Sequence, residues 1–221
     1  MTRLACLSFL LLTAAAGAAH AQGLYLPNQT SGIGVVAGLD YNQDALGVAL
    51  GAGYSYKAFI DGGIVVHRYA YTTDGPNLSA IGAQPYVNVH LLRQTDTIPV
   101  SLAAMGSFQQ YFYSIDVDNR DVSGYSFFLG GAGYRRFGLS ETVSVSPQAT
   151  LGYEFTHTTG AVGLIKRGRN DGGLLFQAAT NFGYQPAGSG TVWGINPFMT
   201  VEPSYVTFGL NIGATFPVGR K

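Results

Sequence analysis

The sequence predicts an all-β chain, a closed antiparallel up-and-down transmembrane β-barrel of about ten strands, with eight or twelve left open. Three observations predict it. Apolar residues recur at every second position along most of the chain, and the connections between those stretches tend to alternate between short and long. Charge is also scarce: 12 Lys+Arg and 12 Asp+Glu make up 11% of 221 residues, against 31 Gly and 13% aromatic residues. Soluble domains carry roughly 25% charged residues and ~7% Gly, so charge here is under half the usual and Gly about twice it. A neutral balance excludes nucleic-acid binding through a basic face and counterion release. The length suits one domain.

Ahead of the strands lies an export signal. Arg3 supplies a positive start, Leu4 to Leu12 an apolar run, and Ala19-His20-Ala21 the small-x-small shape of a cleavage site. Residues 1–21 are thus expected to be a cleaved secretory signal peptide, 22–31 a short periplasmic N-terminal segment, and 32–221 the barrel. Cys6 is the only cysteine. The mature chain then has no disulfide framework and no cysteine metal site.

Ile33 to Tyr41 and Ala45 to Tyr56 open the barrel with weak alternation, the second face being small rather than polar, as in Gly47, Ala49, Gly51, Gly53 and Ser55. Phe59 to Tyr71 has apolar groups on both parities; the chosen register turns Ile60, Ile64 and Val66 outward and Asp61 and His67 inward. Gly82 to Leu91 sets Ala83, Pro85, Val87, Val89 and Leu91 against Gln84, Asn88 and His90. Val100 to Tyr113 and Tyr125 to Phe137 follow, the latter with Ser126, Gly130 and Ala132 on its small face. Thr142 to Thr156 is the clearest strand: Val143, Val145, Pro147, Ala149, Leu151, Tyr153 and Phe155 oppose Ser144, Ser146, Gln148, Thr150, Gly152 and Glu154. Leu174 to Tyr184, Val192 to Val201 and Tyr205 to Phe216 complete the set. Successive strand side chains point to opposite faces. Small residues on the inward face let a narrow tube close without clashes.

Lys57, Gln94 to Thr97, Gly138 to Glu141 and Gln185 to Gly190 are short joints, whereas Thr72 to Leu78, Ser114 to Ser123 and His157 to Asp171 are longer and more polar. Short turns at one end and long loops at the other are how outer-membrane barrels are built. Asn42 to Asp44 and Glu202 to Ser204 depart from this by being brief. Most charges fall in connections or at strand ends, and Tyr41, Tyr54, Tyr56, Tyr69, Tyr71, Tyr111, Tyr113, Tyr125, Tyr134, Tyr153, Tyr184, Trp193 and Tyr205 lie mostly toward strand ends. The expectation is two aromatic girdles at the water–lipid boundaries.

On this pattern the whole mature sequence resembles the small outer-membrane β-barrel proteins of Gram-negative bacteria. Phe208, Leu210, Ile212, Ala214 and Phe216 look like the alternating, aromatic-ended last strand of that family, although this chain continues through Pro217 to Lys221. The resemblance implies that Phe208, Leu210, Ile212 and Phe216 are read by the barrel-assembly machinery. It also implies an outer-membrane location, with lipid and lipopolysaccharide as neighbours.

Asp61, His67, Gln84, Asn88, His90, Gln109, Gln148, Glu154, Gln177, Asn181, Asn196 and Asn211 are the candidate polar residues of the lumen. Within them Asp61 and His90 come out roughly opposite, close enough for a carboxylate to orient an imidazole. Lipid A deacylases of the family carry a His-x-Ser pair, and the nearest match, His157-Thr158-Thr159, lacks the serine. Lys166, Arg167 and Arg169 form the one dense basic cluster, a candidate contact for lipopolysaccharide phosphates. Asp116, Asp118 and Asp121 lack the ordered spacing of a calcium loop. No metal and no cofactor is expected. The functional expectation is a structural or surface-interaction barrel with a largely filled lumen. A narrow pore or carrier for a small solute, and a hydrolase acting on lipid A or peptide, are the alternatives.

Overall fold

A computed structural model of the chain describes residues 24–43, 45–71, 78–115, 122–159, 169–203 and 205–219. The elements are β1 (Ser31–Asn42), β2 (Ala45–Tyr56), β3 (Ile60–Tyr71), β4 (Leu78–Leu92), β5 (Ser101–Ile115), β6 (Val122–Tyr134), β7 (Phe137–Gly138), β8 (Val143–Thr159), β9 (Arg169–Tyr184), β10 (Val192–Glu202) and β11 (Tyr205–Val218). Ten are long, and β7 is a two-residue strand laid on β8 through Phe137↔Val145. Each long strand pairs antiparallel with the next, and β1 closes on β11 from Ser31↔Val218 to Tyr41↔Phe208. The seam from β6 to β8 runs from Ser123↔Thr159 to Tyr134↔Gln148. Closure satisfies the ladder hydrogen bonds within the protein, which a bilayer core demands.

Alternation decides what each face meets. Leu50 and Leu129 on the outer wall are 68% and 75% exposed, while Val65, Asp61 and His67 on the inner wall are 0% exposed. The outer wall is therefore apolar and the inner one polar and aromatic, the arrangement a lipid-facing tube requires and the inverse of a soluble barrel. The register chosen for Phe59 to Tyr71 is the one observed, with Ile60, Ile64 and Val66 exposed.

The aromatic girdle needs correction. Tyr41, Tyr54, Tyr56, Tyr153, Tyr184 and Trp193 face outward, but Tyr69, Tyr71, Tyr111, Tyr113 and Tyr134 are buried inside. Their parity is that of His67, Gln109 and Ala132, so they fill the lumen instead of anchoring at its boundary.

Strand ends also differ from the expectation. Tyr125 to Phe137 stops at Tyr134, because the Arg136 N–H turns away to the Gln94 side-chain carbonyl at 2.8 Å. At the other end of the tube, β4, β5, β6, β8 and β9 run on into stretches read as loops, through pairs such as His157↔Asn170 and Thr158↔Arg169. A ladder standing clear of lipid keeps its backbone bonds without needing an apolar face, so the period-two signal ends before the strand does. The joint expected over Gln94 to Thr97 spans residues 93–100, so connection length separates the two ends less sharply than anticipated.

Small and large residues interlock across the inner wall. A Cβ at Gly130 would come within 2.6 Å of the Phe128 ring, one at Gly47 would strike the Asp40 carboxylate and the Tyr69 ring, and one at Gly82 would lie 2.8 Å from Tyr111. The glycines of the inward face are the space that the inward aromatics occupy.

Candidate functional site: the lumen and its N-terminal plug

Within the lumen, polar side chains of neighbouring strands bond one another. Asn211 donates to the Asn196 side-chain carbonyl at 3.4 Å, Asn196 to Asn181 at 2.6 Å, and Asn181 to Gln148 at 3.3 Å. Gln148 donates on to Thr150 Oγ1 at 3.3 Å. The ladder register puts these residues side by side from β11 to β8, so one amide row girdles part of the wall. Gln177 donates to Thr200 at 3.0 Å and Gln84 to Ser107 at 2.8 Å. Gln109 is buried with neither amide atom hydrogen-bonded to a described residue. Glu154 is buried beside Ser126, which hydrogen-bonds it, and near Glu202. Asn88 pairs across the sheet with Asp61 and Met105.

Asp61 and His90 are brought together as the sequence placed them. His90 Nε2 lies 2.9 Å from Asp61 Oδ2, and His90 Nδ1 lies 2.8 Å from the Tyr134 hydroxyl. A carboxylate can only accept, so the Nε2–H donates to Asp61, and Nδ1 shares a hydrogen bond with the Tyr134 hydroxyl. The order carboxylate, imidazole, hydroxyl is that of an activated nucleophile. The space beside it is not: the cavity lined by His90, Tyr134 and Leu24 is about 10 Å³, room for roughly one water. His67 stands apart, stacked on Tyr69 at 5.9 Å between ring centroids.

Residues 24–26 turn into the mouth of the tube and are buried there. Tyr25 lies over Gly183 and Gly194, whose missing side chains leave it room, and Leu26 lies over Gly32. Leu24 and Tyr25 pack with Ala103, Tyr134 and Val192. The turn that follows carries a Thr30 N–H to Pro27 C=O bond of 3.1 Å, with Gln29 at φ 64°. Arg93 clamps the segment by bonds to the Leu26 carbonyl at 2.8 Å and Asn28 Oδ1 at 3.1 Å, and ties it to the β2–β3 turn through the Ala58 carbonyl at 3.0 Å. Arg136 reaches the Tyr25 carbonyl at 3.4 Å. Burial raises the Tyr25 phenol above its usual range, with Arg136 opposing that rise, so the phenol stays neutral.

The remaining sequence candidates are dispersed. Phe208, Leu210, Ile212 and Phe216 share the outer face of β11, which runs two residues beyond Phe216 to Val218. Lys166 and Arg167 lie outside the described residues, as do Asp116, Asp118 and Asp121. Arg169 begins β9, where its backbone pairs with Thr158. His157 packs on Tyr125 at 5.0 Å, and Thr158 is buried. Among the described residues no three metal-ligating side chains converge. Sequence reasoning missed Asp40 and Glu202, buried acids on the inner wall whose inward parity was the available signal.

No protein-family model and no curated protein matches the chain. Solved structures do. The translocator domain of the autotransporter NalP from Neisseria meningitidis superposes with a TM-score of 0.63 at 10% identity, over 88% of this chain and 90% of that one. The β domain of the Bordetella autotransporter BrkA gives 0.48 at 13% identity over 84% and 98%, and Ail of Yersinia pestis 0.35 at 12% over 86% and 99%. This chain has the fold of the outer-membrane β-barrels. At these identities the likeness is one of architecture. Its interior holds an amide row, the Asp61–His90–Tyr134 contacts, inward tyrosines and a plug made from residues 24–26.

Proposed function

We propose that the protein is an outer-membrane barrel, exported by a cleaved signal peptide, that acts as a closed scaffold and presents its connections at the cell surface. The observation that carries this reading is the filled lumen. Inward side chains from every long strand are buried, the space beside His90 is about 10 Å³, and Leu24 to Leu26 occupy one mouth. A conducting or carrying barrel needs a continuous polar path, and narrow barrels lose it when large side chains fill the interior. The apolar outer wall supports lipid as its surroundings.

In this reading the N-terminal mouth faces the periplasm, and the opposite end of the tube, where β3, β5 and β8 end and β4, β6 and β9 begin, faces outward. Lys166, Arg167 and Arg169 then meet lipopolysaccharide phosphates, and the outer face of β11 serves the barrel-assembly machinery. Planar-bilayer recordings of the refolded protein test the reading. A baseline without unitary steps supports a scaffold, whereas steady single-channel steps return the narrow pore. A hydrolase is tested separately by mass spectra of lipid A from cells with and without the protein, where an altered acyl pattern would favour it.

A further inference from the structure

We propose that the mouth closed by the N-terminal segment is also a binding site for a small soluble oxyanion, a carboxylate or phosphate held between the guanidinium groups of Arg93 and Arg136. A cavity of about 380 Å³ opens there, lined by both arginines together with Asn28, Gln94, Ser101 and Tyr134. Its size falls within the roughly 300–1,000 Å³ of small-molecule sites. The hydrogen bond described above for the Arg136 guanidinium ends on a neutral oxygen, the Tyr25 carbonyl. Neutral acceptors orient a guanidinium without cancelling its charge.

The two cations also act on each other. Burial pulls the Arg136 guanidinium below its usual range; Tyr25 opposes that fall, and the neighbouring Arg93 charge adds to it by a smaller amount. Asp96 lines the same cavity from an exposed turn, but among the described residues no carboxylate lies within 4.0 Å of Arg136. An oxyanion between the pair would relieve that repulsion and take charge-assisted, fork-shaped bonds, for which arginine is the fitted donor. A dissolved ion fits better than a lipid headgroup, because Ser101 and Tyr134 belong to the buried inner wall and not to the lipid face. This site does not depend on which membrane holds the barrel.

The test is calorimetric titration of the full chain, folded in neutral detergent at low ionic strength, with inorganic phosphate and, separately, citrate. Saturable binding of one or both is expected. Arg136→Gln should weaken it at least about tenfold, the equivalent of one lost charged hydrogen bond of about 1.5 kcal/mol. Arg135→Gln is the control: it removes the same charge from the adjacent residue, whose guanidinium lies over the Phe137 ring at 4.9 Å, and should leave binding unchanged. Arg136→Lys keeps the charge but loses the fork and should fall between the two, which keeps the test alive if Arg136→Gln does not fold. Folding of each variant is checked by its heat-dependent gel mobility. The proposal is overturned if neither probe saturates, or if the substitutions at 135 and 136 weaken binding equally.

Discussion

Phe198 of β10 and Gly209 of β11 stand directly opposite on the inner wall. The three atoms nearest a Cβ at 209 would all be carbons of the Phe198 ring, the farthest of them at 2.9 Å. Gly209→Ala therefore overpacks the lumen and should cost about 1–3 kcal/mol. Phe198→Ala empties a buried ring site and should cost about 3–5 kcal/mol. Independent sites would add. Here the ring that the new methyl strikes is the ring the second change removes, so the double variant should be more stable than additivity allows by about 1–3 kcal/mol. Urea unfolding in lipid vesicles gives all four stabilities, followed by the fluorescence of Trp193, the only tryptophan, on the outer wall. Additivity within about 0.5 kcal/mol would refute the claim that inward glycines exist to seat inward rings.

Other substitutions probe separate parts of the account. Leu50→Arg places a charge mid-strand on the lipid face and should cost about 2–4 kcal/mol in bilayers, while a stability change near zero would argue that this wall is wet. Asp61→Ala removes the acceptor of the buried His90 bond and should cost about 1.5–3 kcal/mol, with Asp61→Asn retaining part of it; equal losses would mean that a neutral acceptor replaces none of the carboxylate's contribution. Arg93→Gln releases the clamp on Leu26 and Ala58, so amides of residues 24–30 should exchange hydrogen at least tenfold faster with the strands unaffected. Unchanged exchange would show that apolar packing alone seats the plug.

How much of this was legible depended on where the period-two signal operates. Along Thr142 to Thr156 the lipid face is continuous, and the strand, its register and the inward Gln148 and Glu154 could all be read. The Asp61–His90 pairing followed from parity plus one hairpin. Three features escaped. Tyr69, Tyr111 and Tyr134 carry the composition of a boundary residue but the parity of a lumen residue, and parity is what the backbone enforces. The ends of β4, β8 and β9 stand beyond the apolar belt, where pairing continues with nothing alternating to mark it. The plug was invisible because Leu24-Tyr25-Leu26 is too short for any periodicity; its partners, Gly183, Gly194, Arg93 and Arg136, are distant in sequence and meet it only once the tube has closed.

The most direct measurement is reagent access to single cysteines placed along β2 and β10, at Val48, Leu50 and Val201 on the outer wall and at Ala49 and Thr200 on the inner. Each would be labelled with a nitroxide or thiol reagent in the folded, membrane-embedded protein. A closed barrel lets dissolved oxygen from the lipid reach the outer sites and leaves the inner sites sealed to both oxygen and a water-soluble quencher. Rapid quenching at Ala49 and Thr200 by the aqueous reagent would mean a water-filled path runs through the tube, and the closed scaffold would be wrong.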